Sequence, residues 1–355
     1  MNHFKIALGV LLVSIAAIPV FAQYSPAQIH TLDSTLTILH QQSMFNGAVL
    51  IADHGKVKYK KAFGKVHIST NEPLKTSSAF NLASVSKQFI AMMVMLLEEK
   101  GKLDYDDPVI KHLPTFPYET VTIRHLLTHT SGLPEYFDLA LAHQNTLDTL
   151  TNDELLQLLA DFQPKPGFEP GERWGYCNTG YVLLASVIEK AAKMPIETFF
   201  QQQITGPLGL KDTYIYTLGM KQSPANRVFG FRRENGLEIP NDLIRFDGVV
   251  GDGNIYSSVD DLLKWDQSLY TEKLVSAKTL KEAFTPVRLN NGTTFPYGFA
   301  WSIDSSGQVL SHTGSWVGFL NEITRDTKNR QTVIILSSGS DGIARTCLKE
   351  ILAGK

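Results

Sequence analysis

The stretch Phe89-Ile-Ala-Met-Met-Val-Met-Leu-Leu97 is nine consecutive apolar residues, ended by Glu98-Glu-Lys-Gly101. Charge followed by glycine is what a helix C-terminus needs, so the run reads as one helix. A helix that is apolar on every side has to be buried on every side, which places it between two layers of structure. Its N-terminus then opens where the layers meet, a common place for a cleft. Immediately before it stands Ser84-Val-Ser-Lys87, the only Ser-x-x-Lys in the chain. Residues three apart on a helix share a face, which puts the Ser84 hydroxyl beside the Lys87 amine at the first turn. A serine hydroxyl is a poor nucleophile until a neighbouring base takes its proton. A lysine becomes that base when burial and the positive end of a helix dipole lower its pKa. The same four residues also suit a plain helix start, with Ser84 or Ser86 as cap and Lys87 in solvent.

Strand signals sit at both ends of the chain. Gly47-Ala-Val-Leu-Ile-Ala-Asp53, the turn His54-Gly55 and 56–64 read as a hairpin. Strands are expected again at 297–303, 308–313, 318–325 and 331–337. Helices are expected at 26–44, 123–128, 153–161, 180–193, 259–270 and 342–352. These signals predict an α/β (α+β) fold, an antiparallel sheet flanked by helices with a large, mostly helical inserted lobe. The expected division is 23–80 with 282–355 as the sheet lobe and 81–281 as the helical lobe, the active site lying between them.

The N-terminus reads as a secretory signal over 1–22. Lys5 lies in a short polar start, 6–20 is almost wholly apolar, and Val20-Phe21-Ala22 has the small-x-small cleavage pattern. No later segment is long and apolar enough for a transmembrane anchor, and no cysteine follows the apolar stretch for lipid attachment. The expected product is exported, periplasmic or secreted. With 33 basic against 35 acidic residues, there is no positive excess to suggest nucleic acid. The densest basic cluster, Lys56, Lys58, Lys60 and Lys61, alternates with Val57 and Tyr59 as the wet face of a strand does. Two cysteines, Cys177 and Cys347, do not make a disulfide framework and are read as buried free thiols.

Two further motifs occur in order after Ser84. Tyr176-Cys-Asn178 follows the turn Pro170-Gly-Glu172 and precedes a helix, and His312-Thr-Gly314 lies near the end of a strand. A tyrosine beside an ammonium can move a proton, an asparagine can hold both a substrate amide and a lysine, and a histidine can position or shuttle a proton. The order Ser-x-x-Lys, Tyr-x-Asn, then Lys or His-Thr-Gly resembles the serine β-lactamase and penicillin-binding family. The similar branch holds class C β-lactamases, DD-peptidases and related esterases. Residues 80–87, 122–133, 251–265 and 297–299, with Pro170-Gly171, look like that family at matching places.

The resemblance implies a β-lactamase/transpeptidase-like fold and acyl transfer without a metal or organic cofactor. Ser84 would be the nucleophile, with Lys87 and Tyr176 moving its proton and Asn178 orienting Lys87 and the substrate amide. Thr313, Gly314 and Ser315 would line the substrate, and the N–H groups of Ser84 and Ser315 would form the oxyanion hole. The implied partners are small peptides, amides or esters, including peptidoglycan-derived ones.

The third motif departs from class C β-lactamases, which carry lysine where His312 stands. With an ordinary pKa near 6.5, His312 supplies only part of that positive charge at neutral pH. A soluble DD-peptidase of the branch uses His-Thr-Gly, but with an arginine upstream on the adjoining strand that 297–303 lacks. Arg227, Arg232, Arg233 and Arg245 are the remaining carboxylate anchors. The reading is therefore a DD-peptidase-like serine hydrolase, with a class C-type β-lactamase, a carboxylesterase and a non-catalytic binder of wall fragments as alternatives. His125 and His129 have zinc-like spacing but lack the intervening glutamate of a metalloprotease helix. Gly251-Asp-Gly-Asn254 lacks the lysine of a phosphate loop and reads as a tight turn near the cleft. No Gly-x-Ser-x-Gly is present, which argues against an α/β-hydrolase.

Overall fold

The computed structural model describes residues 24–70, 72–143, 149–218, 220, 222–339 and 341–354. The expected signal segment, 1–22, lies outside the described residues. Among those described, no helix is long and apolar enough to cross a membrane.

The first helix, α1 (Pro26–Gln41), starts at a Ser25 capping box with proline in its first turn. Strands β1 (Gly47–Asp53) and β2 (Lys56–Phe63) follow as an antiparallel hairpin. Late in the chain come β3 (Ser302–Ile303), β4 (Val309–Trp316), β5 (Phe319–Asp326) and β6 (Gln331–Ser338). Together they form one antiparallel sheet in the order β3-β4-β5-β6-β1-β2. Every residue of β1 from Gly47 to Ala52 is buried because both faces of the sheet are covered. Val49 and Ile51 pack with Leu32, Leu36 and Leu39 of α1 and with Ala344, Leu348 and Leu352 of the terminal helix, Ile343–Leu352. Ala48, Leu50 and Ala52 point the other way, into the main core. An antiparallel sheet that is apolar on both faces explains why β1 shows no polar alternation.

The apolar run forms α2 (Lys87–Glu99), and every residue from Lys87 to Leu97 is buried. Phe89 packs on Trp265, with ring centroids 4.3 Å apart, and Gln88 accepts the Trp265 indole N–H. The helix ends as its glycine predicts: Gly101 is left-handed, and the Lys102 N–H returns to the Leu97 carbonyl. Between the two ends of the sheet the chain is largely helical. Helix α3 (Asn178–Ala192) packs on α2, and α4 (Val259–Ser268) packs against β6 and β1. A small three-stranded sheet of 80–81, 214–215 and 255–257 interrupts this helical part.

Two local expectations change. Instead of a strand, 297–303 holds an isolated bridge from Tyr297 to Ser302 and the two residues of β3. The basic cluster alternates imperfectly, because a register shift between Ile51 and Ala52 leaves Lys58 unpaired in the ladder and Val57 exposed. Lys58, Lys60 and Lys61 pair with Asp53, Asp260 and Asp33, a charged sheet edge that discourages added strands. Both cysteines are free, with Cys177 buried and Cys347 only half-buried.

One buried ion pair ties the sheet to α4. Arg325 Nε donates to Asp266 Oδ1 at 2.8 Å, and both side chains are 1 % exposed or less. Thr332 also donates to Asp266, so removing this carboxylate strands two donors and a cation in the core. Asp266→Ala is expected to cost about 3–5 kcal/mol in urea unfolding. A loss under about 1 kcal/mol would show that the pair does not hold the layers together.

Candidate active site

Ser84 does not begin an α-helix. It lies in a 3₁₀ turn, Ala83–Ser86, that feeds directly into α2. In a 3₁₀ turn residues three apart eclipse, which brings Lys87 Nζ within 3.1 Å of Ser84 Oγ. Neither serine caps the helix: Ser86 is buried and accepts the N–H of Ile255 instead. Ala83, the residue before Ser84, has a φ of 49°, a left-handed conformation that non-glycine residues rarely adopt. Its N–H is held by Asn81 Oδ1, while the Asn81 carbonyl accepts from Asn321 of β5. The sheet thus fixes the strained turn that carries the serine.

Lys87 is fully buried, so the plain-helix reading with a solvated lysine does not hold. Its Nζ donates to three acceptors: Ser84 Oγ, Asn178 Oδ1 at 2.9 Å and the Asp252 carbonyl at 2.8 Å. The Gly251–Asn254 segment is a bend rather than a hydrogen-bonded turn, and its Asp252 carbonyl reaches Lys87. Gly251 has a φ of 130°, and a Cβ there would lie 2.1 Å from the Tyr181 carbonyl of α3. Only glycine lets the loop approach closely enough for Asp252 to reach Lys87.

Tyr176 and Asn178 arrive on the segment that opens α3. The Tyr176 ring packs on His129, with centroids 4.2 Å apart, and Lys87 Nζ lies 5.1 Å from the tyrosine ring centre. The Tyr176 hydroxyl is buried and has no hydrogen-bond partner among the described residues. An orphaned buried hydroxyl is costly, and it stands where an incoming group would satisfy it. Asn178 donates its backbone N–H and its Nδ2 to Glu135 Oε1. Burial pushes the Glu135 carboxyl up to about 7, and burial also raises Asp252, opposed by Lys87.

His312 lies on β4, buried. Its Nδ1 is 2.7 Å from the Thr313 carbonyl, which can only accept, so Nδ1 carries the proton. Nε2 is then an acceptor and takes the Tyr297 hydroxyl at 3.0 Å. Burial, helped by the charge of Lys87, pushes the ring down to about 3, so His312 is neutral at physiological pH. The partial positive charge expected from its ordinary pKa is absent. His129 is likewise held well below its usual range by burial, and its Nδ1 accepts the Cys177 N–H. His125 is spent on capping its own short helix, where it accepts the Thr122 N–H.

Gly314 controls how closely β4 approaches the serine. A Cβ there would lie 2.1 Å from the Leu82 carbonyl and 3.2 Å from the Ser84 nitrogen. Beside it Thr313 is half-buried and Ser315 exposed, and β3 pairs only as far as Leu310 and Ser311. Beyond His312 that side of β4 therefore has no strand beside it. The arginines considered as carboxylate anchors are engaged elsewhere. Arg227, Arg232 and Arg233 pair with Asp242, Glu234 and Glu238, and Arg245 lies over Phe246 and donates to the Ala140 carbonyl.

Glu135 and the Asp252 carbonyl are not marked by the sequence, and Tyr297 enters only within the family-like segment 297–299. Glu135 lies two residues beyond the family-like segment 122–133, but nothing local marks it. A backbone carbonyl carries no residue-level signal at all.

A family model described as Beta-lactamase matches residues 32–353. The chain belongs to the Beta-lactamase family. It is 41% identical over 323 residues to penicillin-binding protein 4* of Bacillus subtilis, covering 87% of this chain and 71% of that one. It is 27% identical to the esterase EstB of Burkholderia gladioli, over 69% of this chain and 70% of that one. The octameric penicillin-binding protein homologue from Pyrococcus abyssi superposes with a TM-score of 0.78 at 27% identity, covering 92% of this chain and 78% of that one. The fold is β-lactamase/transpeptidase-like, and the chain is a serine hydrolase of the β-lactamase and DD-peptidase type.

Two outcomes follow from this geometry. Gly314→Ala must push β4 off the serine turn, and Ser84 acylation is expected to fall about 10²-fold or more, as when an oxyanion donor is misplaced. Acylation within twofold of the unmodified protein would contradict the close approach. Below about pH 6.5 the unfolded chain protonates His312, whereas the folded chain does so only near pH 3. Stability through this group therefore rises with pH between those values. His312→Gln is expected to flatten unfolding free energy against pH across that window, and an unchanged slope would mean that His312 is not held neutral.

Proposed function

We propose that the chain is an exported hydrolase that works through an acyl-Ser84 intermediate on D-amino peptides, amides or esters. The observation that carries this is the fully buried Lys87 amine, held 3.1 Å from the Ser84 hydroxyl by two further acceptors. As the free amine, Lys87 can give its two hydrogens to Asn178 Oδ1 and the Asp252 carbonyl and turn its lone pair to Ser84 Oγ, so that it takes the serine proton as Oγ attacks a carbonyl. Tyr176, whose ring lies beside Lys87 and whose hydroxyl has no partner among the described residues, passes that proton to the leaving group. Asn178 keeps Lys87 in place and faces the substrate amide. The oxyanion is received by the N–H groups of Ser84 and Ser315, which the contact at Gly314 supports by bringing β4 against the serine turn. Thr313, Gly314 and Ser315 line the substrate along the free side of β4. Water then cleaves the acyl–Oγ bond, the proton returning by the same groups.

A preference for substrates without a carboxylate on the leaving side follows from the charges. His312 is neutral and hydrogen-bonded to Tyr297, and the four arginines are committed elsewhere. Aromatic pairs adjoin the site residues instead, Trp174 stacked on Phe295 at 4.2 Å two positions before Tyr176, and Trp316 on Phe137 at 5.5 Å next to Ser315. This favours uncharged esters and amides over β-lactam drugs, whose carboxylate needs a cation. Similarity to a D-aminopeptidase and to a D-alanyl-D-alanine-carboxypeptidase/endopeptidase keeps D-amino peptides, peptidoglycan-derived ones included, among the substrates, with small peptides and esters as the partners.

The test is a rate comparison across p-nitrophenyl esters, D-amino acid amides, D-alanyl-D-alanine peptides and nitrocefin. Neutral esters and amides are expected to turn over, with loss of several orders of magnitude in Ser84→Ala. Nitrocefin is expected to acylate slowly without rapid turnover. Nitrocefin hydrolysis faster than the ester rate would favour a true β-lactamase. No Ser84-dependent reaction with any donor would favour a binding protein.

A further inference from the structure

Among the described residues Glu135 is the one carboxyl side chain hydrogen-bonded to Asn178, and one of its oxygens makes both bonds. A single oxygen, Oε1, accepts both the Asn178 backbone N–H at 2.9 Å and the side-chain Nδ2 at 3.2 Å. The other end of that side chain, Oδ1, accepts Lys87 Nζ at 2.9 Å. The two ends of an asparagine amide are nearly the same shape but opposite in hydrogen-bonding sense. Which end faces Lys87 is decided by what the other end meets. If the amide turned over, Nδ2 would set donor against donor at Lys87, and Oδ1 would set acceptor against acceptor at Glu135.

We propose that Glu135 is a positioning residue for the acyl-transfer site, locking the Asn178 amide so that Oδ1 holds the Lys87 amine against Ser84. This rests on the acyl-Ser84 reading above. Glu135 also completes the start of α3, because the Asn178 N–H is one of the helix's unpaired first-turn donors and Cys177 supplies no side-chain cap. One carboxyl oxygen thus fixes both the backbone and the side chain of the same residue. Its second oxygen, Oε2, is buried without a partner, so the group is built in for its Oε1 contacts at some cost.

The surroundings make Glu135 sensitive to protonation. The charged or titratable groups around it come from three elements: Lys87 from α2, Asp252 from the loop before α4, and the Cys177 thiol at the start of α3. Tyr136, next to it in sequence, is also buried and donates to Asp252 Oδ2 at 3.1 Å. Burial holds the Glu135 carboxyl near 7, so its charge changes within the working range. In either state Oε1 remains an acceptor when the proton sits on Oε2. Loss of the anion changes the field around the site without removing that acceptor.

The experiment measures Ser84 inactivation by a fluorophosphonate as a function of pH, with melting temperature as the folding control. Glu135→Gln keeps an oxygen acceptor and loses the charge. Its inactivation is expected to stay within about fivefold of the unmodified protein, and its pH profile to lose the step near pH 7 that the Glu135 carboxyl contributes. Glu135→Leu removes the acceptor and is expected to lose about 10- to 100-fold at every pH, an effect comparable to losing a second-layer partner elsewhere. In an Asn178→Ala background the Glu135 change is expected to cost almost nothing, because Glu135 acts through that amide. Should the leucine variant fail to fold, the same cycle is run with glutamine, and a step near pH 7 that still depends on Glu135 in the Asn178→Ala background would overturn the amide lock in favour of a purely electrostatic role. Unchanged rate and pH profile in both Glu135 variants, or fully additive losses with Asn178→Ala, would overturn the proposal. No labelling of Ser84 in the unmodified protein would instead overturn the acyl-serine reading on which it depends.

Discussion

The structure depends on keeping the amine of Lys87 out of water. Burying an ionisable amine is costly unless every donor it has is met, and Lys87 has no exposed surface. Its three acceptors come from three different parts of the chain: the serine turn, the start of α3 and the loop after Val250. Each must be brought to one point, and each is brought by a feature with little freedom. The 3₁₀ turn eclipses Ser84 over Lys87, Glu135 pins Asn178, and Gly251 lets its loop lie on α3. Loss of any one leaves a buried donor unpaired, so the arrangement is specified as a unit.

The sheet supplies the other half of the site. Asn321 on β5 holds the carbonyl of Asn81, and Gly314 on β4 sits against the backbone of the serine turn. The strained φ at Ala83 is therefore held by a rigid layer on one side and a buried helix on the other. Strain of this kind persists only where the surroundings over-determine it. The neutral His312 belongs to the same wall, its tautomer set by the Thr313 carbonyl and its second nitrogen occupied by Tyr297.

Much of this was legible from residues alone. The nine apolar residues of α2 predicted a buried helix, and both ends of the chain showed the strands of one sheet. The order of Ser84, Lys87, Tyr176, Asn178 and His312 marked the family. What the sequence hid were contacts without a side-chain signature or between distant segments. The Asp252 contact is a backbone carbonyl, and Glu135 meets Asn178 across 43 positions. The charge of His312 was misjudged because an ordinary pKa assumes water, whereas this ring is buried beside a lysine. The strand expected at 297–303 failed because Tyr297 turns inward to His312, leaving only two residues to pair as β3.

In the proposed reaction Ser84 carries the acyl group. Intact-protein mass spectrometry after acid quench during turnover of a slow acyl donor tests it directly, with peptide mapping of the modified site. One acyl increment on the peptide containing Ser84, absent from Ser84→Ala, is the predicted result. Product accumulating with no adduct on Ser84, or with the adduct on another residue, would contradict it.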